Sequence, residues 1–185
     1  MAERVCPVWI GYLLLSPLRK LRQDPNRILG PFLRPGMAAL DFGSAMGYFS
    51  IPMARLVSPG GKVICADIQE RMLQVLRKRA KKANVESVIE SFLITGPSIN
   101  LGKYHNKIDF VLLFAAAHEV PDQDTLFREL STVLKPGGKL LFSEPSGHVS
   151  KSDFSASVKN AESNCFQQIE QVEIRSAFSV LLEKV

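Results

Sequence analysis

The sequence predicts an α/β fold on a largely parallel sheet, and two patterns carry that reading. From residue 37 onward, short β-rich apolar runs alternate with longer segments whose apolar residues recur at helical spacing, the signature of βαβ units. Near the end the alternation breaks. Two runs, around Ile169–Ile174 and Phe178–Glu183, are joined by so short a connection that they can pair only as antiparallel strands. With 185 residues the chain suits one domain.

Residues 1–36 precede the alternation. Val8–Leu21 is apolar, carries Trp9 and Tyr12 and reads as helical. Asp24-Pro25 followed by Gly30 supplies a cap, a first-turn proline and a stop for a second short helix. These residues predict a helical cover over the open end of the sheet, within the same domain as residues 37–185; ordinary extra core helices are the alternative.

Met37–Phe42 reads as the first strand and Tyr48–Val57 as the helix behind it; after Pro59-Gly60-Gly61, Lys62–Ala66 is the second strand. Gln69–Ala83 puts Met72, Leu73, Leu76, Ala80 and Ala83 on one helical face, and Val88–Ile94 is a weaker third strand. Ile108–Ala115 is a continuous apolar run, as a strand buried on both faces requires. Asp124 is placed to cap the next helix, which buries Leu126, Phe127, Leu130, Val133 and Leu134. Lys135-Pro136-Gly137-Gly138 stops that helix and leads into the fifth strand, Lys139–Glu144; Ser152–Phe166 then reads as a helix before the terminal hairpin.

Composition narrows the function classes. The chain is 46% hydrophobic and 22% charged, as in soluble globular proteins. Its net charge of +5 owes much to Arg77, Lys78, Arg79, Lys81 and Lys82, which lack interleaved aromatics and read as a solvated helix face, not a nucleic-acid footprint. Cys6, Cys65 and Cys165 show neither metal-ligand nor disulfide spacing, which fits a reducing, cytoplasmic setting and no metal. Val8–Leu15 is far shorter than the roughly 20 residues that span a bilayer and lacks a cleavage site after it, so neither membrane insertion nor a signal peptide is expected.

The chemistry concentrates in Ala39-Leu40-Asp41-Phe42-Gly43-Ser44-Ala45-Met46-Gly47-Tyr48. An apolar strand ends in an acid, two glycines follow four apart, and a helix begins. Glycine admits unusual backbone angles and close approach of a ligand, while N–H groups at a helix start point at it. A nucleotide-like ligand therefore belongs at the carboxyl end of the first strand. Asp67, at the end of the second strand, stands where a carboxylate accepts hydrogen bonds from both hydroxyls of an adenosine ribose.

Together with Lys107-Ile108-Asp109-Phe110-Val111, His118-Glu119-Val120-Pro121-Asp122 and Leu134-Lys135-Pro136-Gly137-Gly138, these residues resemble the class I S-adenosylmethionine-dependent methyltransferases over roughly residues 37–185. Within that class the chain is similar to the small-molecule branch that includes quinone-biosynthesis methyltransferases. Its opening, Cys6-Pro7-Val8-Trp9-Ile10-Gly11-Tyr12 with Pro17-Leu18-Arg19, resembles a prokaryotic subgroup of methyltransferase-domain proteins. The resemblance implies a Rossmann-like seven-stranded sheet in the order 3-2-1-4-5-7-6, with strand 7 antiparallel, and S-adenosyl-L-methionine as cofactor. Asp41 and the turn formed by Gly43, Ser44, Ala45 and Gly47 would approach its methionine part and ribose. Asp67 would hold the ribose, Ile68 would pack on adenine, Thr95, Gly96 and Pro97 would border the adenine edge, and Phe114 would lie beneath the cofactor.

The end of the fourth strand faces the methyl group in that class, so His118 and Glu119 are the expected acceptor-preparing groups, with helix capping as the alternative for His118. Trp9 and Tyr12, three apart on a helix, can face one acceptor cavity. Two positions depart from the family pattern: Ala45 stands where glycine is common, tolerable with negative φ, and Thr95-Gly96-Pro97 stands where an acid often recognises adenine. A nicotinamide-dependent dehydrogenase would need glycines at 43, 45 and 48, where the chain has Gly43, Ala45 and Tyr48. A binding-only domain is the other alternative. The acceptor is expected to be a small molecule, because no Asn/Asp-Pro-Pro-aromatic turn or Pro-Cys nucleophile for nucleic-acid bases is present.

Overall fold

The computed structural model describes residues 7–96 and 98–185. Cys6 and Pro97, named above, lie outside them. Seven strands hydrogen-bond in the order β3-β2-β1-β4-β5-β7-β6, as the resemblance implies. The chain divides into two compact units, ending and beginning at Ile94 and Thr95.

In the first unit β1 (Ala38–Phe42), β2 (Lys62–Asp67) and β3 (Ile89–Leu93) are parallel, with Asp41 beside Cys65 and Asp67 beside Leu93. α3 (Ser50–Val57) and α4 (Glu70–Lys82) connect them. The helical spacing read from α4 is realised: Met72, Leu73, Leu76 and Ala80 are all buried. The larger of these, Met72, Leu73 and Leu76, each contribute about 1.5–3 kcal/mol of apolar burial. α3 starts at Ser50, two residues later than the sequence suggested, because residues 45–49 are spent in the turn that follows β1.

The N-terminal segment belongs to this unit. α1 (Val8–Leu14) rests on α4 through Gly11, where an added Cβ would stand 2.9 Å from Met72 Sδ and 3.0 Å from Met46 Cε. α2 (Pro25–Leu29) is capped by Asp24, whose carboxylate accepts from Asn26 N–H, and carries Pro25 in its first turn, as read from the sequence.

The second unit holds β4 (Ile108–Phe114), α5 (Gln123–Val133), β5 (Leu134–Pro145), α6 (Lys151–Ser163), β6 (Phe166–Gln171) and β7 (Ala177–Lys184). β4 and β5 are parallel; β7 is antiparallel to both β5 and β6. The core is aromatic: Phe142 stacks on Phe154 at 4.9 Å and meets the edge of Phe127 at 5.5 Å. Among the described residues no helix is long and apolar enough to cross a membrane.

Further boundaries differ from the sequence reading. The helix read over Val8–Leu21 is α1 followed by a separate 3-10 helix at Pro17–Leu21, whose N-cap Ser16 accepts from Leu18 N–H, and the strand read around Ile169–Ile174 lies at Phe166–Gln171. Asp122, not Asp124, caps α5, because its carboxylate reaches both the N–H and the hydroxyl of Thr125, at 3.0 and 2.7 Å; Asp124 sits in the first turn and pairs with Arg128. Lys135–Gly138 do not precede β5 but form an irregularity inside it: Leu134 already pairs with Ile108, and the register resumes at Phe110 and Lys139. α6 ends at Ser163 because Cys165 adopts a left-handed φ of 66°, and Phe166 turns inward to open β6 opposite Lys184.

Candidate functional site

The turn after β1 is held from several directions. Gly43 and Ser44 N–H both donate to the Ala66 carbonyl at the end of β2, and Gly47 N–H closes back on Ser44 O at 2.9 Å. Three residues are left-handed: Gly43 at φ 72°, Ala45 at 46° and Gly47 at 78°. Ala45 therefore lacks the negative φ under which an alanine is readily tolerated here. The amide of Ala45 is aimed at the Asp67 carboxylate, and reaching it at 2.8 Å sets that conformation. An added Cβ at Gly47 would lie 3.0 Å from Leu76 Cγ, so this glycine serves both the turn's φ and the close packing of α4.

Asp67 is buried, and each of its oxygens holds one backbone amide: Oδ2 takes Ala45 N–H and Oδ1 takes Gln69 N–H, both at 2.8 Å. Burial pushes its carboxyl upward, against these N–H donors. Ile68 N–H adds to these donors, yet a carboxylate's roughly four lone-pair sites leave acceptor capacity for a hydroxyl ligand. Asp41, at the end of β1, is deeper. Burial pushes its carboxyl up to about 7, although Ser50 Oγ donates to it at 2.5 Å. The Ser44 hydroxyl is buried with no hydrogen-bond partner among the described residues, while the neighbouring Ile68 is half exposed.

Two arginines to which the sequence reading gave no place in the site brace this turn. Arg79 of α4 is part-buried and donates to the Met46 carbonyl; it is not merely part of a solvated face, unlike its exposed neighbours Lys78, Lys81 and Lys82. Arg19 lies 4.3 Å from the centroid of the Tyr48 ring, and Tyr48 Oη in turn donates to Gln23 O. The N-terminal segment thus packs onto the residues following Gly47. Trp9 and Tyr12 are both exposed on α1, at 64% and 58%.

In the second unit, β4 ends at buried Phe114, and Ala115 turns left-handed at φ 55°. The next residues reach the carboxyl end of β5. Glu144, 2% exposed, accepts Ala117 N–H at 2.8 Å through Oε1 and meets His118 Nδ1 through Oε2. His118 is part-exposed, and its pKa is raised by that hydrogen bond to Glu144, with burial opposing and the charges of Glu144 and Glu119 adding. His118 does not cap α5, since Asp122 does. Glu144 was missed as a site residue; its position at the carboxyl end of a strand was the available signal. Thr95 and Gly96 are exposed at the start of this unit.

The fold and the glycine turn agree with a comparison of known proteins: a family model described as a methyltransferase domain matches residues 33–180. The chain belongs to the methyltransferase domain family. It is 34% identical over 116 residues to a ubiquinone/menaquinone biosynthesis C-methyltransferase UbiE of Pasteurella multocida, covering 61% of this chain and 42% of the relative. It is 32% identical over 127 residues to a demethylmenaquinone methyltransferase of a Geobacillus species, covering 69% and 52%. The chain thus spans about half the length of these relatives. A SAM-dependent methyltransferase from Aquifex aeolicus superposes with a TM-score of 0.86 at 22% identity, over 98% of this chain and 100% of that one.

The first unit of this methyltransferase domain fits S-adenosylmethionine. Asp67 has acceptor capacity left for the ribose diol, Ile68 offers an exposed apolar face, and the Ser44 hydroxyl is a buried polar atom still to be satisfied. A buried hydroxyl without a partner costs about 1–3 kcal/mol, and a polar ligand against the turn removes that cost.

Proposed function

We propose that this domain transfers a methyl group from S-adenosyl-L-methionine to a small-molecule acceptor in the cytoplasm. Asp41, Gly43, Ser44, Ala45, Gly47, Asp67 and Ile68 hold the cofactor. The observation that carries this reading is the Asp67 carboxylate, which locks the turn through Ala45 N–H yet keeps acceptor capacity for a ligand hydroxyl. The cofactor supplies an electrophilic methyl group on a positively charged sulfur, so the protein's share of the work is alignment of the acceptor and management of its proton.

His118, flanked by Glu119 and bonded to Glu144, has the chemistry to take that proton. The exposed rings of Trp9 and Tyr12 suit contact with a flat, partly apolar acceptor. The relatives named for quinone biosynthesis make hydroxylated aromatic rings the first acceptors to try. The experiment is a methyl-transfer screen against a small-metabolite panel containing such rings, read as S-adenosylhomocysteine release. Acceptor-dependent release supports the reading. A folded protein that binds the cofactor but turns over nothing in the panel, nucleic acids and proteins included, returns the domain to a binding role.

A further inference from the structure

We propose that Glu144 is the positioning residue for His118: its carboxylate fixes the imidazole with the proton on Nδ1 and so presents Nε2 as the proton acceptor. The inference deepens the reading above and rests on it for the role of His118.

Glu144 is held rigidly. Its neighbour Ser143 pairs with Phe114 on one side and Ser179 on the other, Glu144 itself lies opposite Phe178 of β7, and Ser143 Oγ and Ser179 Oγ bond each other at 2.8 Å. A carboxylate 2% exposed needs its oxygens satisfied, and both are: one by Ala117 N–H at 2.8 Å, the other by His118 Nδ1. The Ala117 amide is a donor only, so it fixes which oxygen is left for the ring. A carboxylate is an acceptor only, so the ring nitrogen facing it must carry the proton. The opposite nitrogen, Nε2, makes no hydrogen bond among the described residues, and the side chain is 27% exposed. Two other titratable groups bear on the ring: Glu119, whose charge favours the imidazolium, and His148, whose ring stands edge-on at 5.9 Å.

If Glu144 only tied down the loop, the Ala117 contact would suffice. The second contact selects a tautomer, and a tautomer matters only if the free nitrogen is used. Its use implies an acceptor that arrives protonated: a phenolic or enolic group, with acidity within reach of an imidazole. With the cofactor bound, the acceptor proton would move to Nε2, the electron pair left on the acceptor would form the bond to the methyl carbon, and the pair of the broken carbon–sulfur bond would stay on sulfur. The imidazolium then formed is stabilised by Glu144.

Glu144→Gln tests this with little change of shape. Its carbonyl can still accept from Ala117 N–H, but its amide would donate toward Nδ1 and force the proton onto Nε2. We expect nitrogen-resolved NMR to find the Nδ1–H tautomer of His118 in the wild type and the Nε2–H tautomer in Glu144→Gln, with the acid limb of the pH–rate profile moved to lower pH. Turnover should fall by about 10²–10⁴-fold, as asparagine for aspartate does in hydrolytic triads, with S-adenosylhomocysteine affinity unchanged. Glu144→Asp, which keeps the charge, should retain the Nδ1–H tautomer and recover part of the turnover. An Nε2–H tautomer in the wild type, or a tautomer unchanged in Glu144→Gln, overturns the proposal without any acceptor in hand. His118→Ala separates the two readings. Full turnover there overturns the proton role and this proposal with it, whereas loss there alongside full turnover in Glu144→Gln overturns the positioning role alone.

Discussion

The turn after β1 and the corner after β4 solve different problems with different materials. The first is built from backbone: left-handed residues at 43, 45 and 47 and amides directed at Ala66 O and Asp67. The second is built from side chains: a buried carboxylate on one strand grips an imidazole 26 positions away. A backbone cradle fails when a side chain forbids its conformation. A side-chain corner fails when a proton moves, even if every atom keeps its place.

That contrast predicts a graded set of responses. Gly47→Val should have the largest effect. It imposes a β-branched residue at φ 78° and drives a Cβ to within 3.0 Å of Leu76. The conformation costs roughly 1–2 kcal/mol and the overpacking roughly 1–3 more, a large part of a typical domain's stability. Thermal melts should fall by several degrees and cofactor binding should be lost; a variant with wild-type melting and affinity would show that the cradle is not conformationally strict.

Asp41→Asn should have a smaller effect, and one that depends on pH. Burial raises the Asp41 pKa to about 7 in the folded protein, above the unfolded value near 3.8. The folded state then binds more protons than the unfolded state between those values, so the stability due to Asp41 is full below about 4 and lost as pH rises through about 7. The asparagine variant, which cannot ionise, should gain melting temperature relative to wild type at pH 8, with the gain shrinking as pH falls and lost only near pH 4. A difference independent of pH would mean that Asp41 does not titrate in this range.

Ala45→Gly should change least. It relieves an alanine held at φ 46°, a conformation costing roughly 1–2 kcal/mol, while adding unfolded-state entropy of roughly half that size. Melting should rise by a degree or two, and affinity should stay equal or improve. A clear fall in both would mean that the methyl group is itself a contact.

The same contrast explains what could be read from residues alone. The alternation of strands and helices, the terminal hairpin and the cradle's short run of glycines and acids were legible because these patterns are local, whereas the strand order came from the family resemblance. Helix ends drifted where competition was local too. Asp122 and Asp124 are both plausible caps, and only the reach of one carboxylate to Thr125 decided between them. The negative φ on which an easily tolerated Ala45 depended is not met, because its backbone angle is set by a carboxylate on another strand. Glu144 went unread because nothing near it in sequence requires an imidazole; register brings the two together. Of the candidate residues, those of the turn were legible as a motif, whereas Arg19, Arg79 and Ser50 act through packing that no spacing announces.

The account stands most directly on one titration. S-adenosylhomocysteine should bind the wild-type protein saturably in a calorimeter, and Asp67→Ala, still folded by circular dichroism, should bind at least tenfold more weakly. Charged hydrogen bonds to the ribose are worth roughly 1.5–3 kcal/mol each, and about 1.4 kcal/mol is a factor of ten. Equal affinity in the two proteins, or no binding to the folded wild type, would contradict the assignment of the cradle.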